Sequence, residues 1–270
     1  MATTSAPLRL TSLIVVEERL AEADFFARRF AQCQPYIASY FLNAFLSSAR
    51  SVTFLLQKEM AHVDGFDAWW AAQRAAMSGD KVARFFLELR NFSQKQGRVS
   101  LASSKTGGPR SRSWTYRFVG TTTSVPHELL GVDAAESCVG HVAKLARIVL
   151  ACMKGFPFHT CASRALSVEG AQALGLNARS TFEALGYPYV AGNDELAWRV
   201  LSGQVDAVDI ELLKKFANAR LRRRKPLFDA TPSGQLSAQV LDFLEQRLRK
   251  PDGHTDMRTA LIEHLLGDRA

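Results

Sequence analysis

The stretch Asp80–Gly97, DKVARFFLELRNFSQKQG, decides how the first part of the chain is read. Val82, Phe85, Phe86, Leu89 and Phe92 recur at three- and four-residue steps, which lays one apolar stripe along a helix. Arg84, Glu88, Asn91 and Lys95 fall on the opposite face, with Arg84 and Glu88 spaced to pair at i,i+4. Asp80 is placed to cap this helix and Gly97 to stop it. The helix end is crowded with groups that bind anions or form hydrogen bonds, notably Arg90, Asn91, Gln94 and Lys95.

Working outward, the upstream chain reads as three more helices. Thr11–Gln32 carries Leu13, Val16, Leu20, Ala23, Phe26 and Phe30 on one stripe, and Pro35 marks its break. Tyr36–His62 has a wide apolar stripe and holds Arg50 in its middle. A buried arginine there needs an anionic partner, and Glu88 is the expected one, with a bound phosphate as the second option. Phe66–Met77 is short and carries Trp69 and Trp70, read as core or interface anchors rather than base-stacking platforms. Four such helices in sequence predict an antiparallel bundle over residues 1–97.

The run Arg90-Asn91-Phe92-Ser93-Gln94-Lys95 resembles the R-N-x-x-x-H signature of the HEPN superfamily of small helical domains. The resemblance covers roughly the first hundred residues. It implies a HEPN-like four-helix bundle, an RNA-associated function, catalytic roles for Arg90, Asn91 and Lys95, and a homodimer formed through the bundle. The chain departs from the signature at its proton carrier, because Lys95 stands in the histidine position. A histidine exchanges protons near neutral pH, whereas lysine, with an ordinary pKa of about 10.4, is mainly a fixed cation. Positions 90 and 95 also sit roughly 140° apart on an ideal helix, so one helix cannot readily aim both at one phosphate. Two copies facing each other would solve that. The expectation is therefore a degenerate or weak metal-independent ribonuclease, or an RNA-binding component of a toxin, defence or RNA-processing system.

Charge supports a polyanionic partner. The net charge of +8 is concentrated in residues 1–125, which hold 16 Lys+Arg against 9 Asp+Glu. Between Leu89 and His127 there are seven cations and no acid. Such a one-sign patch attracts phosphate. Within it, Val99, Leu101 and Ala102 on one side and the alternating Trp114, Tyr116 and Phe118 on the other predict a β-hairpin around a basic loop, residues 98–125 including its linker. Arg98, Lys105, Arg110, Arg112 and Arg117, interleaved with Trp114, suit a single-stranded nucleic acid; the aromatics equally suit a packing face.

Residues 126–270 read as a helical C-terminal region. Cys138–Lys154 is an amphipathic helix containing His141. Cys138-x-x-His141 with His159-x-Cys161 has atypical spacing for zinc, so core cysteines are expected and no metal. Leu166–Gly186 resembles a helix-turn-helix, with Gly175 in the turn, Asn177 as a cap and Thr181 reaching outward. With Arg179 as its one cation, a packing hairpin is the favoured reading and a DNA-binding regulator the alternative. Helices are also predicted over Asn193–Ser202, Val205–Arg224, Ser233–Lys250 and Thr255–Leu266. A protein–protein adaptor is the third functional class. Walker, G-x-G-x-x-G, G-x-S-x-G and H-E-x-x-H motifs are lacking, so no cofactor is expected. Neither a signal peptide nor an apolar run of about 20 residues is found, which predicts a cytoplasmic protein without a membrane partner.

Overall fold

A computed structural model describes residues 10–106, 113–120, 124–205 and 207–221. The chain divides into two compact units, Met1–Arg224 and Lys225–Ala270. The second unit lies outside the described residues, as do the helices expected over Ser233–Lys250 and Thr255–Leu266.

The protein is mainly helical, with one two-stranded hairpin between a helical first part and a helical second part. Helix α1, Ile14–Gln32, buries Val16, Leu20, Ala23, Ala27 and Phe30 at three- and four-residue steps. It begins later than expected: Leu13 N donates to Thr160 O at 3.0 Å, and the Thr11 hydroxyl pairs with His62 Nε2 at 2.8 Å. Cys33 and Gln34 are extended and Pro35 opens α2, Pro35–Met60, where a missing N–H costs nothing and the fixed φ suits the first turn. Helix α3, Phe66–Gly79, starts from Gly65 at φ 79°. Asp80 Oδ1 then accepts from Val82 N at 2.9 Å and Ala83 N at 3.1 Å, and so starts α4, Lys81–Lys95. The chain leaves α4 through Gly97 at φ 142°, a conformation that disfavours any side chain.

The hairpin forms as predicted, with β1 at Leu101–Thr106 antiparallel to β2 at Ser113–Phe118 and Leu101 opposite Phe118. Its alternation decides its role. Tyr116 and Phe118 are buried and Trp114 is half-buried against the core, whereas Arg117 points out to solvent. Tyr116 stacks on Phe30 at 4.9 Å and donates its hydroxyl to Cys33 O at 2.7 Å. The carboxylate of Asp133 ties the hairpin to the next helix. Oδ2 accepts from Tyr116 N at 3.0 Å, while Oδ1 caps α5, Ala134–Gly155, through Ala135 N and Glu136 N.

Helix α5 is buried along most of its length by Cys138, Val139, Val142, Leu145, Ala146, Val149 and Cys152. It packs on α1, α2, β2 and on α10, Ile210–Ala217. One apolar core runs through α1–α5, the hairpin and α10. The helix expected over Val205–Arg224 is much shorter: the carboxylate of Asp209 starts α10 by accepting from Leu212 N, and the helix ends at Asn218.

Between α5 and α10 lies a second, smaller core of Leu166, Ala171, Ala178, Phe182, Trp198 and Leu201. It is built by α6 (Ala162–Ala165), α7 (Val168–Leu174), α8 (Ala178–Ala184) and α9 (Asp194–Gln204). Gly175 turns at φ 63° and Asn177 caps α8 through Ser180 N, as the sequence predicts. Thr181 is the correction here. It is 2% exposed and packs inward rather than facing out.

Candidate functional site

Helices α2, α3, α4 and α5 converge on a cavity of about 340 Å³, a size that suits a small-molecule or single-nucleotide ligand. Its floor is apolar and aromatic, formed by Phe45, Trp70, Phe86 and Leu145. Phe86 stacks on His141 with ring centres 4.6 Å apart, and Phe45 meets Phe86 edge-on at 5.7 Å. Four arginines line the walls: Arg50 from α2, Arg74 from α3, and Arg84 and Arg90 from α4; the first three are exposed and Arg90 is half-buried. None of the cavity residues is acidic.

Arginine keeps its charge, so it cannot relieve repulsion by losing a proton. Among the described residues none of the four forms an ion pair. The expected pairs Arg84–Glu88 and Arg50–Glu88 are both missing from this set. Arg50 Nη1 donates to Thr53 Oγ1 at 2.8 Å, and Arg90 Nη1 donates to Asn91 Oδ1 at 3.2 Å. Each guanidinium carries five N–H donors, and those of the exposed arginines also face solvent. Arg90 Nε, Trp70 Nε1 and His141 Nδ1 are enclosed and have no hydrogen-bond partner. Buried polar atoms are rarely left so. All three lie enclosed in the walls beside the cavity.

Burial pushes His141 down to about 4, and nearby Lys144 adds to the shift while Asp80 opposes it. Its ring is therefore neutral at physiological pH. Lys144 itself is tied to the Asp80 carboxylate. Burial raises the pKa of Asp80, but the hydrogen bonds from Lys144, Ala83 N and Val82 N outweigh it and leave the net value lowered. The same carboxylate thus caps α4 and fixes α4 against α5 beside the cavity.

The expected site residues separate. Arg90 lines the cavity. Asn91 is half-buried beside it and serves as Arg90's acceptor, while Lys95 is exposed in the last turn and is not among the cavity residues. Arg98 borders a second depression of about 280 Å³ near the start of α2. Lys105 and Arg117 are exposed on the hairpin. Lys105 pairs across from Trp114 and Arg117 across from Ala102, which places them on opposite faces. Arg110 and Arg112 lie outside the described residues. Sequence reasoning did not assemble Arg74, Arg84 and His141 with Arg90, because no single element carries them.

Residues 12–107 match the family model of bacteriophage lambda protein ea47. The match spans α1–α4 and β1, the region that resembles HEPN in the sequence, and it replaces that assignment. The physical reason is visible in α4: the signature positions Arg90, Asn91 and Lys95 do not converge, and the motif is short enough to arise at the polar end of an amphipathic helix. No curated protein and no solved structure matches the chain. Among the described residues no cluster of three or more His, Cys, Asp or Glu could hold a metal ion. No helix of the described residues is long and apolar enough to cross a membrane.

Proposed function

We propose that this protein binds single-stranded RNA, and that the arginine cavity holds one nucleotide of it. The base lies against Phe86, His141 and Trp70, and the phosphate meets Arg50, Arg74, Arg84 and Arg90. The observation that carries this reading is the set of four guanidinium groups without an acidic partner, set around an aromatic floor. A cavity of this size admits one nucleotide and no duplex, and unstacked nucleotides are what RNA loops and ends present to proteins. The exposed Arg98, Lys105 and Arg117 add sequence-independent attraction.

Binding rather than cleavage fits the local chemistry. A general base works best near the operating pH. His141 sits at about 4 and Lys95 stands outside the cavity. The helix-turn-helix alternative is less favoured, since Thr181 is buried and Arg179 lies over the Tyr189 ring at 5.3 Å.

Fluorescence anisotropy with a labelled single-stranded RNA tests the proposal. Arg50→Ala and Arg90→Ala should each weaken binding about tenfold, near 1.4 kcal/mol, and each should lower the salt slope by about one. Unchanged affinity in both variants would overturn it. A gel of the recovered RNA should show intact strand, and sustained cleavage would replace the binding role with turnover.

A further inference from the structure

Helix α2 carries three strongly exposed aromatic side chains, Tyr36 at 68%, Tyr40 at 69% and Phe54 at 59%. At about 100° per residue, Tyr36, Tyr40, Ser47 and Phe54 fall within about 40° of one another. A second row of Ser39, Leu46, Arg50 and Gln57 runs directly beside them by the same count. The second row touches both depressions. Ser39 borders the one that Arg98 lines, and Leu46, Arg50 and Gln57 border the arginine cavity. Ser39 is 3% exposed, and its hydroxyl has no partner. Asn43, one turn further on, also has an enclosed Oδ1 without one. Ser39 and Arg50 are about 16 Å apart along the helix, and Pro35 to Gln57 spans about 33 Å.

An electropositive groove flanked by exposed rings is how single strands are held without sequence reading: charge follows the backbone and rings take the bases. We propose that the exposed face of α2 is the track of a single-stranded RNA. A backbone phosphate sits in the depression between Arg98 and Ser39, bases stack on Tyr36 and Tyr40, and the strand runs on to the arginine cavity. This rests on the cavity reading above and extends it to a second phosphate site and a defined path. The track occupies several nucleotides, within the range of about 4–16 that such grooves cover.

The test is anisotropy on the full-length protein with labelled oligouridylates of two and eight nucleotides. A dinucleotide reaches one depression and an octanucleotide reaches both. The octanucleotide should bind at least about tenfold more tightly, and the Tyr36→Ala/Tyr40→Ala double variant should remove about tenfold of its affinity while leaving the dinucleotide unchanged. Arg98→Ala should weaken the octanucleotide alone. Both tyrosines are exposed, so the double variant keeps the fold, which circular dichroism confirms independently. Equal binding of the two lengths, or an unaffected double variant, overturns the track. If Arg50→Ala and Arg90→Ala still weaken the dinucleotide in that case, the cavity reading stands alone. If those variants do nothing, both fall. Competition by a duplex of the same sequence as effective as by the single strand also overturns the track, since paired bases cannot stack on the tyrosines.

Discussion

The α7–α8 hairpin and the arginine cavity both gather polar side chains near solvent, but they treat them differently. In the hairpin, Asn177 Oδ1 holds Ser180 N, Ser167 Oγ holds Gly170 N, Thr181 is buried, and Arg179 lies over Tyr189. Those groups are occupied by the hairpin itself. Around the cavity, four arginines lack acidic partners among the described residues, and Arg90 Nε, Trp70 Nε1 and His141 Nδ1 lack any hydrogen-bond partner. The difference teaches that a local motif which satisfies its own polar groups is a structural device.

Four variants break or sharpen that contrast. The largest effect belongs to Gly170→Ala. A Cβ there would sit 2.0 Å from Arg164 O and 2.7 Å from Ala165 O, both backbone atoms that cannot swing away. Thermal denaturation should show a loss of about 3 kcal/mol, with RNA affinity of the remaining folded protein unchanged. An unaltered melting curve would mean that α6 and α7 are not packed as closely as described. Next comes Arg90→Ala together with Arg50→Ala. Affinity should fall by about 2–3 kcal/mol in total, with no loss of stability in urea denaturation, because the substitutions relieve like-charge repulsion. A clear destabilisation would make these arginines structural and erase the contrast.

Smaller still is Asp80→Asn, which keeps a capping acceptor on α4 but removes the charge that meets Lys144. Both side chains are partly exposed, so about 0.5–1 kcal/mol is expected at neutral pH. The sign follows from the lowered pKa of Asp80. Its stabilisation is present above the ordinary carboxylate value of 3.8 and is lost as pH falls through the lower folded value. The gap between wild type and variant should therefore close in strong acid. A gap that persists there would assign the effect to the cap instead. The smallest effect belongs to Arg179→Ala, which should change stability by less than about 0.5 kcal/mol and leave nucleic-acid affinity untouched. Loss of duplex DNA binding would restore the hairpin as a reader.

Most elements of the described fold were legible because their signals are local. Asp80 and Asn177 caps, the Pro35 break, the Gly175 turn and the Trp114–Phe118 alternation each depend on neighbours in sequence. The cavity was not legible, because its lining comes from four helices and its meaning lies in what those arginines fail to touch. Arg90 was singled out through a motif that the match of residues 12–107 replaces, and it lines the cavity. Arg50 was assigned a carboxylate partner because a buried position was assumed, whereas it is exposed on the wall of the cavity. The exposed Tyr36 and Tyr40 were invisible for a related reason. Periodicity tells which face of α2 is apolar, but only the packing of α1, α4 and α5 decides how much of that wide face is covered.

The enclosed ring of His141 also determines what the surroundings can tell this protein. With its value at about 4, that ring takes up a proton only as the pH falls toward that value, and guanidinium groups do not release theirs in any biological medium. His141 therefore adds no charge to the cavity near neutral pH. Dissolved ions are another matter, because each phosphate contact displaces counterions. On the RNA reading proposed above, binding should weaken as salinity rises.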